Sequence, residues 1–320
     1  MIPSARLAGQ GRLALDWRVV AALGTVYVVW GSTYLAIRVA VETLPPLHMA
    51  SIRYLVAGGV MAGLLVARGG VTRLAVSRRE LLGAAVVGTA LLAAGNGGIS
   101  VAEQRVPSSL AALIAASIPL WVVVFRALAS ERVPRGTLVG VVLGFAGVAA
   151  IALQGSRENG DAAATLLVVA AAMAWAAGSF LAGRLAMPRD PMVSTTLQLL
   201  TGGVILLALG LVVEPAGLPA SVEPRSWLAL AYLIVFGSLI AFTAYTWLLA
   251  HAPVSQVSTY AYVNPVVALL LGWVLLAEPV TPFLLGGAAL VVASVALVIR
   301  HESGGGRPTA VSPLAAEEGG

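Results

Sequence analysis

Residues Val26–Tyr54 read VYVVWGSTYLAIRVAVETLPPLHMASIRY, and this stretch decides the fold. It begins inside an apolar run that holds Trp30, Ser32, Thr33 and Tyr34, turns through a short polar segment at Glu42–Pro46, and re-enters apolar sequence. About two helical turns into that second run stands a lone arginine, Arg53. Charge in hydrocarbon is costly, so a membrane helix that keeps Arg53 must turn it toward a cavity or a partner.

The rest of the chain supports a membrane setting. Of its 320 residues 59% are hydrophobic and 10% charged, with a mean hydropathy of +0.94. A soluble domain carries about 25% charged residues, so this chain lacks the polar surface to face water all round. Its environment is the lipid bilayer. The absence of cysteine excludes disulfides, thiolate metal sites and thiol catalysis. All 19 basic residues are arginines, which removes the P-loop lysine and ATP hydrolysis by that route. A pI of about 10.1 does not require nucleic acid as a partner, because arginines gathered in loops on one side of a membrane explain it. The first apolar run follows Arg6, Arg12 and Arg18 and reads as a signal anchor, not a cleaved peptide.

Ten runs are long enough to span, each needing roughly 20 apolar residues: about 19–40, 46–67, 81–102, 107–128, 136–154, 163–186, 192–213, 227–250, 253–276 and 281–299. Before them lies an N-terminal segment, 1–18, and after them a small polar tail, 300–320, expected to be cytoplasmic and the tail disordered. With a cytoplasmic N-terminus, 14 arginines fall in inside segments and 4, namely Arg38, Arg105, Arg157 and Arg225, in outside ones. This bias places both termini inside.

The chain also repeats itself. A shift of 146 positions lays Leu35, Ala36, Arg38 and Ala40 on Leu181, Ala182, Arg184 and Ala186, and Pro45, Pro107 and Pro119 on Pro191, Pro253 and Pro265. Ser109 falls on Ser255 and, after a one-residue slip, Glu131 on Glu278 and Gly140 on Gly287. The repeats cover 19–154 and 163–299 with five spans each. Five is odd, so the second copy is inverted. Inverted repeats mark secondary transporters, whose substrate site lies near the midplane where the copies meet.

The segments WGSTYLAIR, PPLHMASIRYLVAG, AGNGGISVAE, VPSSLAALIAASIPLW, ASERVPRGTLVGVVLGFAGV and TYAYVNPVVALLLGWVLLAEPVTPFLLGGAALV, in this order, resemble the EamA family of the drug/metabolite transporter superfamily. The resemblance spans roughly residues 20–300 and includes bacterial inner-membrane exporters. It implies an all-α integral membrane fold, ten transmembrane helices as two inverted five-helix repeats around a central cavity.

Candidate cavity residues follow from depth and residue type. Arg53 is the first; its repeat counterpart is Leu199, so the charge breaks the symmetry. It either anchors an anionic group of the substrate or is structural, capping carbonyls or pairing with Glu103 or Glu42. Asn96 lies at similar depth, on one stripe with Thr89, Ser100 and Glu103. Trp30, Tyr34, Trp121 and Trp175 stand near midspan, away from the interfaces that aromatic belts occupy. Tyr260, Tyr262 and Asn264 gather beside Pro265, whose match in the fourth span is Pro119; paired interruptions point to a transporter's binding region. Glu131 and Glu278 end the fourth and ninth spans and read as fold residues that pair with arginines or cap the next helix. Gly140/Gly144 and Gly59/Gly63 read as GxxxG packing pairs.

The expected activity is export of small metabolites such as amino acids or related amphipathic compounds, by alternating access across a bacterial inner membrane. A broad drug exporter or an importer on the same scaffold is the alternative. A passive channel is disfavoured because no ring of like residues forms a filter. A membrane enzyme is disfavoured because no nucleophile–base pair, HExxH or metal-ligand cluster occurs. No cofactor or metal is implied. A coupling proton finds no support in the middle third of any span, which holds no carboxylate, though Glu103 near the outer mouth leaves it open.

Overall fold

Polar residues between the apolar runs set where each helix starts and stops. In the computed structural model, which describes residues 17–159, 161–214, 216–252, 254–257 and 259–305, all regular structure is helical. Helix α1 is Trp17–Ala40 and α2 Pro46–Gly69, with Pro46 at the first turn where a missing N–H is harmless. Helix α3, Arg78–Ala102, opens with a capping box in which Ser77 and Glu80 exchange hydrogen bonds. Then come α4 (Ser108–Leu128) and α5 (Arg135–Asn159). Helix α6 (Ala162–Ala182) is capped by Asp161; bonds from the Ala164 N–H and from Arg105 hold this carboxyl below the usual carboxylate range. The second half continues with α7 (Pro191–Val213), α8 (224–251), α9 (Tyr260–Leu276) after a short turn Val254–Val257, and α10 (Pro282–Gly305).

Nine of these stretches are long and apolar enough to cross a membrane, and α9 is a shorter apolar helix, among the described residues. The fold is therefore ten apolar helices in two five-helix repeats. Helix α10 continues to Gly305, into the segment expected as tail; residues 1–16 and 306–320, and the landmark Pro253, lie outside the described residues.

Packing follows the repeat. Helix α2 lies along α7 and α5 along α10, each joining equivalent members of the two copies. Helix α1 packs on α8 and α9, while α6 packs on α3 and α4. Exchanging the copies turns each pairing into another one present, as an in-plane two-fold axis demands. We call the end carrying Trp17 and Gly305 proximal and the other distal.

Local irregularities repeat too. Ser130 (φ 61°) and Ala277 (φ 52°) are non-glycine residues in left-handed conformation, and they immediately precede Glu131 and Glu278. Such a conformation costs about 1–2 kcal/mol, so it persists where the surrounding fold demands the turn. Residues Thr89–Asn96 of α3 and Leu233–Ile240 of α8 are wound as π-helix. Shifted by 146, the first becomes 235–242 and overlaps the second.

These paired π segments correct the expectation that matching interruptions would sit at Pro119 and Pro265. Helix α4 breaks at Ala116–Ser117, just before Pro119. Pro265 instead lies inside α9, and the ninth span is interrupted earlier, between Val257 and Tyr260. The reason is physical: a π turn frees backbone carbonyls through its wider i→i+5 ring and needs no proline to do so. A second correction concerns glycines. A Cβ on Gly140 would collide with Val298 of α10 and one on Gly144 with Leu120 of α4, as close packing requires, but Gly59 and Gly63 face open space. Gly58 is the α2 glycine that meets α7, against Leu199 and Leu200.

Candidate substrate-binding cavity

Arg53 enters the bundle on α2 with 3% of its surface exposed. Its Nε donates to Ser238 Oγ at 2.9 Å and one terminal nitrogen to Asn96 Oδ1 at 3.4 Å. Its guanidinium also lies over the Tyr54 ring, 5.0 Å from the centroid. Ser238 lies in the α8 π segment and Asn96 closes the α3 one, so the arginine ties the two irregular segments together across the pseudo-two-fold axis. It forms no ion pair among the described residues. Glu42, one expected partner, pairs with Arg225 at 2.7 Å, and the carboxyl of Glu103, the other, has no hydrogen-bond partner. A guanidinium carries five donors, and these bonds use two of them.

Arg53 and Asn96 line a cavity of about 100 Å³ at mid-depth. Around them stand Trp30, Tyr34, Trp175, Tyr260 and Asn264, with Pro119 and Pro265 completing the wall. Trp30 is fixed by its indole N–H, which donates to the Gly237 carbonyl at 3.2 Å, and by edge contacts with Phe242 and Tyr260 at 5.3 and 5.2 Å between centroids. The Asn264 amide lies 3.2 Å from the carbonyls of Tyr260 and Tyr27 and donates to both when its NH2 is turned toward them. The lining is thus an aromatic and aliphatic shell with one cation and two amides, the usual composition of a small-molecule pocket.

Two expected members lie elsewhere. Trp121 faces Phe145 of α5 at 4.5 Å between ring centroids, because α4 turns at Ser117 and carries it off the axis. Tyr262 packs into the cluster around α4, α5 and α10. Glu131 and Glu278 stay outside the cavity: Glu131 pairs with Arg126 at 2.7 Å and with Arg184, while Glu278 accepts from the N–H and hydroxyl of Ser108 and the N–H of Ser109. Ser238 and Phe242 were not among the sequence candidates. The repeat carried a signal for Phe242 alone, since Asn96 shifted by 146 is Phe242, whereas Ser238 falls on Leu92.

The two ends of the bundle differ. At the distal end Ala40 and Val41 are 0% and 4% exposed and Glu278 is 9% exposed. Their repeat partners at the proximal end are less covered: Ala186 is exposed, and Met187 and Glu131 are half-buried. The distal end is closed.

Comparison with known proteins agrees with this architecture. The model of the EamA-like transporter family matches the chain twice, over residues 17–153 and 162–300. The chain belongs to the EamA-like transporter family. Among family relatives, it is 36% identical over 278 residues to the Escherichia coli K12 "Uncharacterized inner membrane transporter YedA", covering 87% of this chain and 89% of that one. It is 27% identical to "Uncharacterized transporter YvbV" of Bacillus subtilis, over 88% of this chain and 91% of the relative. A crystal structure of a protein 22% identical superposes with a TM-score of 0.60 over 87% of this chain and 95% of that one, which supports the fold. This EamA-family chain is a multi-pass membrane transporter.

Proposed function

We propose that this chain exports small metabolites bearing an anionic group, amino acids or related amphipathic compounds, across a bacterial inner membrane. Arg53 carries the reading. It is a buried cation facing a cavity, with no counter-ion among the described residues. Burying a charge without compensation is costly, and a substrate carboxylate that supplies it binds through charge-assisted hydrogen bonds. The aromatic shell of Trp30, Trp175 and Tyr260 suits the apolar part of an amphipathic molecule. The volume of about 100 Å³ favours a small metabolite over a drug-sized ligand, which takes roughly 300–1,000 Å³.

The 14-to-4 distribution of arginines supports cytoplasmic termini. The distal end is then periplasmic, and the structure corresponds to a state closed on that side. Alternating access follows as an exchange of closure between the two copies, with Arg53 near the pivot.

The test is reconstitution in liposomes with a panel of radiolabelled L-amino acids. The expected result is saturable counterflow of one or more of them, lost in Arg53→Gln while the variant still inserts. Flux that does not saturate would replace the carrier by a pore. Counterflow undiminished in Arg53→Gln would remove the arginine from the site.

A further inference from the structure

Glu103 follows the last residue of α3 and is 0% exposed. Neither of its carboxylate oxygens has a hydrogen-bond partner among the described residues. A buried carboxylate in that condition is far more costly than a buried carboxylic acid. Its surroundings sharpen the point. Glu278, from the turn after α9, is close enough to repel a charge on Glu103 and is itself held by three bonds from Ser108 and Ser109. From α1, the Arg38 guanidinium donates to the backbone carbonyl of Glu103, not to its carboxyl. Tyr34, also on α1, lies within electrostatic range of Glu103 and lines the cavity. On the following turn, Arg105 points outward with 72% of its side chain exposed and pairs with Asp161. Burial first, then the neighbouring Glu278, hold the Glu103 carboxyl well above the usual carboxylate range against the smaller pull of Arg38.

We propose that Glu103 is a proton-binding site whose protonation is required for the distal end to close, so that opening of that end responds to the pH on the distal side. The closed distal end leaves Glu103 dry and without a donor, which only the neutral acid tolerates. Opening that end admits water. The O–H bond then breaks, the proton passes to water, and the resulting carboxylate has Arg38 beside it as a counter-ion. Closing again requires a proton from the distal side. Tyr34 links the site to the cavity. This inference does not rest on the transport reading above, and the experiment addresses the gate without any substrate.

The chain has no cysteine, so Val41→Cys, at a position 4% exposed at the distal end, supplies a single thiol. Its labelling by a membrane-impermeant maleimide is followed from acid to alkaline pH in liposomes, with and without Glu103→Gln in the same chain. The intrinsic reactivity of the thiol cancels in that comparison. With Glu103 present, labelling is expected to rise faster with pH than with the neutral glutamine amide in its place, by up to about tenfold per pH unit, the limit for one linked proton. Glu103→Asp, which still titrates, is expected to retain the excess. Equal pH dependence with and without Glu103→Gln would overturn the proposal. Should the glutamine variant not insert, infrared spectroscopy of the wild-type protein decides: the C=O band of a protonated, buried carboxylic acid at neutral pH supports the proposal, and its absence overturns it. Failure of every amino acid probe to move would count against the transport reading alone.

Discussion

Arg53 shows what a single residue in a membrane span can and cannot say. Its cost was visible in the sequence, and so was the need to turn it toward a cavity or a partner, because hydrocarbon leaves no other inexpensive position. Its partners were not. Sequence reasoning offered Glu103 or Glu42 as partners, whereas the arginine bonds Ser238, 185 residues away, and Asn96. Contacts between repeats depend on how copies of opposite orientation in the membrane meet, and no local pattern encodes that. Arg53→Lys tests the shape of the site separately from its charge. A lysine is a point charge without the planar fork, so transport of the anionic substrate is expected to weaken about tenfold to a hundredfold in apparent affinity, the worth of one charged hydrogen bond, in a concentration series of counterflow. Glu278→Gln removes the charged cap of α4 and is expected to lower stability by about 1 kcal/mol, the typical value for a lost cap, as a lower midpoint of thermal unfolding in detergent. At Glu103 the sign runs the other way from most carboxylates. Its acid form is the one the folded protein favours, so the folded state holds more protons than the unfolded one and stability declines as pH rises above the ordinary glutamate range. Glu103→Gln is expected to flatten that decline in the same unfolding assay.

At the scale of elements, helix number and order were legible because each span must satisfy its own backbone within about 20 apolar residues. The interior form of the spans was less so. The two π segments carry glycines and small residues that read equally well as close packing, and the prolines drew attention to α4 and α9 instead. Trp121 was misplaced for the same reason, since a break of two residues at Ala116–Ser117 redirects everything after it. Glycines test the packing directly. A Cβ on Gly31 would lie 2.6 Å from Val267 Cβ and 3.2 Å from the Asn264 carbonyl. Gly31→Val is therefore expected to force α1 from α9 and destabilise by about 1–3 kcal/mol, the usual penalty of overpacking. Gly59→Val, where nothing lies within 4 Å, is expected to change stability by less than about 0.5 kcal/mol, as an uncontacted surface substitution does. Thermal unfolding of both variants in one detergent makes the comparison.

The whole molecule adds what neither residue nor helix contains, a difference between its two ends. The repeat was legible in the register of prolines, but a sequence that is nearly symmetric cannot tell which end is shut. Burial does: Val41 is covered while its counterpart Met187 is less so, and Ala186 is exposed where Ala40 is not. Single thiols at Ala186→Cys and Ala40→Cys should accordingly differ, the first labelled readily and the second slowly, in the protein without substrate. Equal rates would show that the closed distal end is not the resting state in solution.

The paired π segments also record an order of events. An irregular turn at overlapping positions of both halves is what a unit that carried it before being doubled would leave. The same holds for the left-handed residue ahead of each terminal glutamate, Ser130 and Ala277. The pair Arg53 and Leu199 has no such symmetry and diverged after the doubling. What bends the helices around the central space is thus common to the two copies, and the buried charge in that space belongs to one of them.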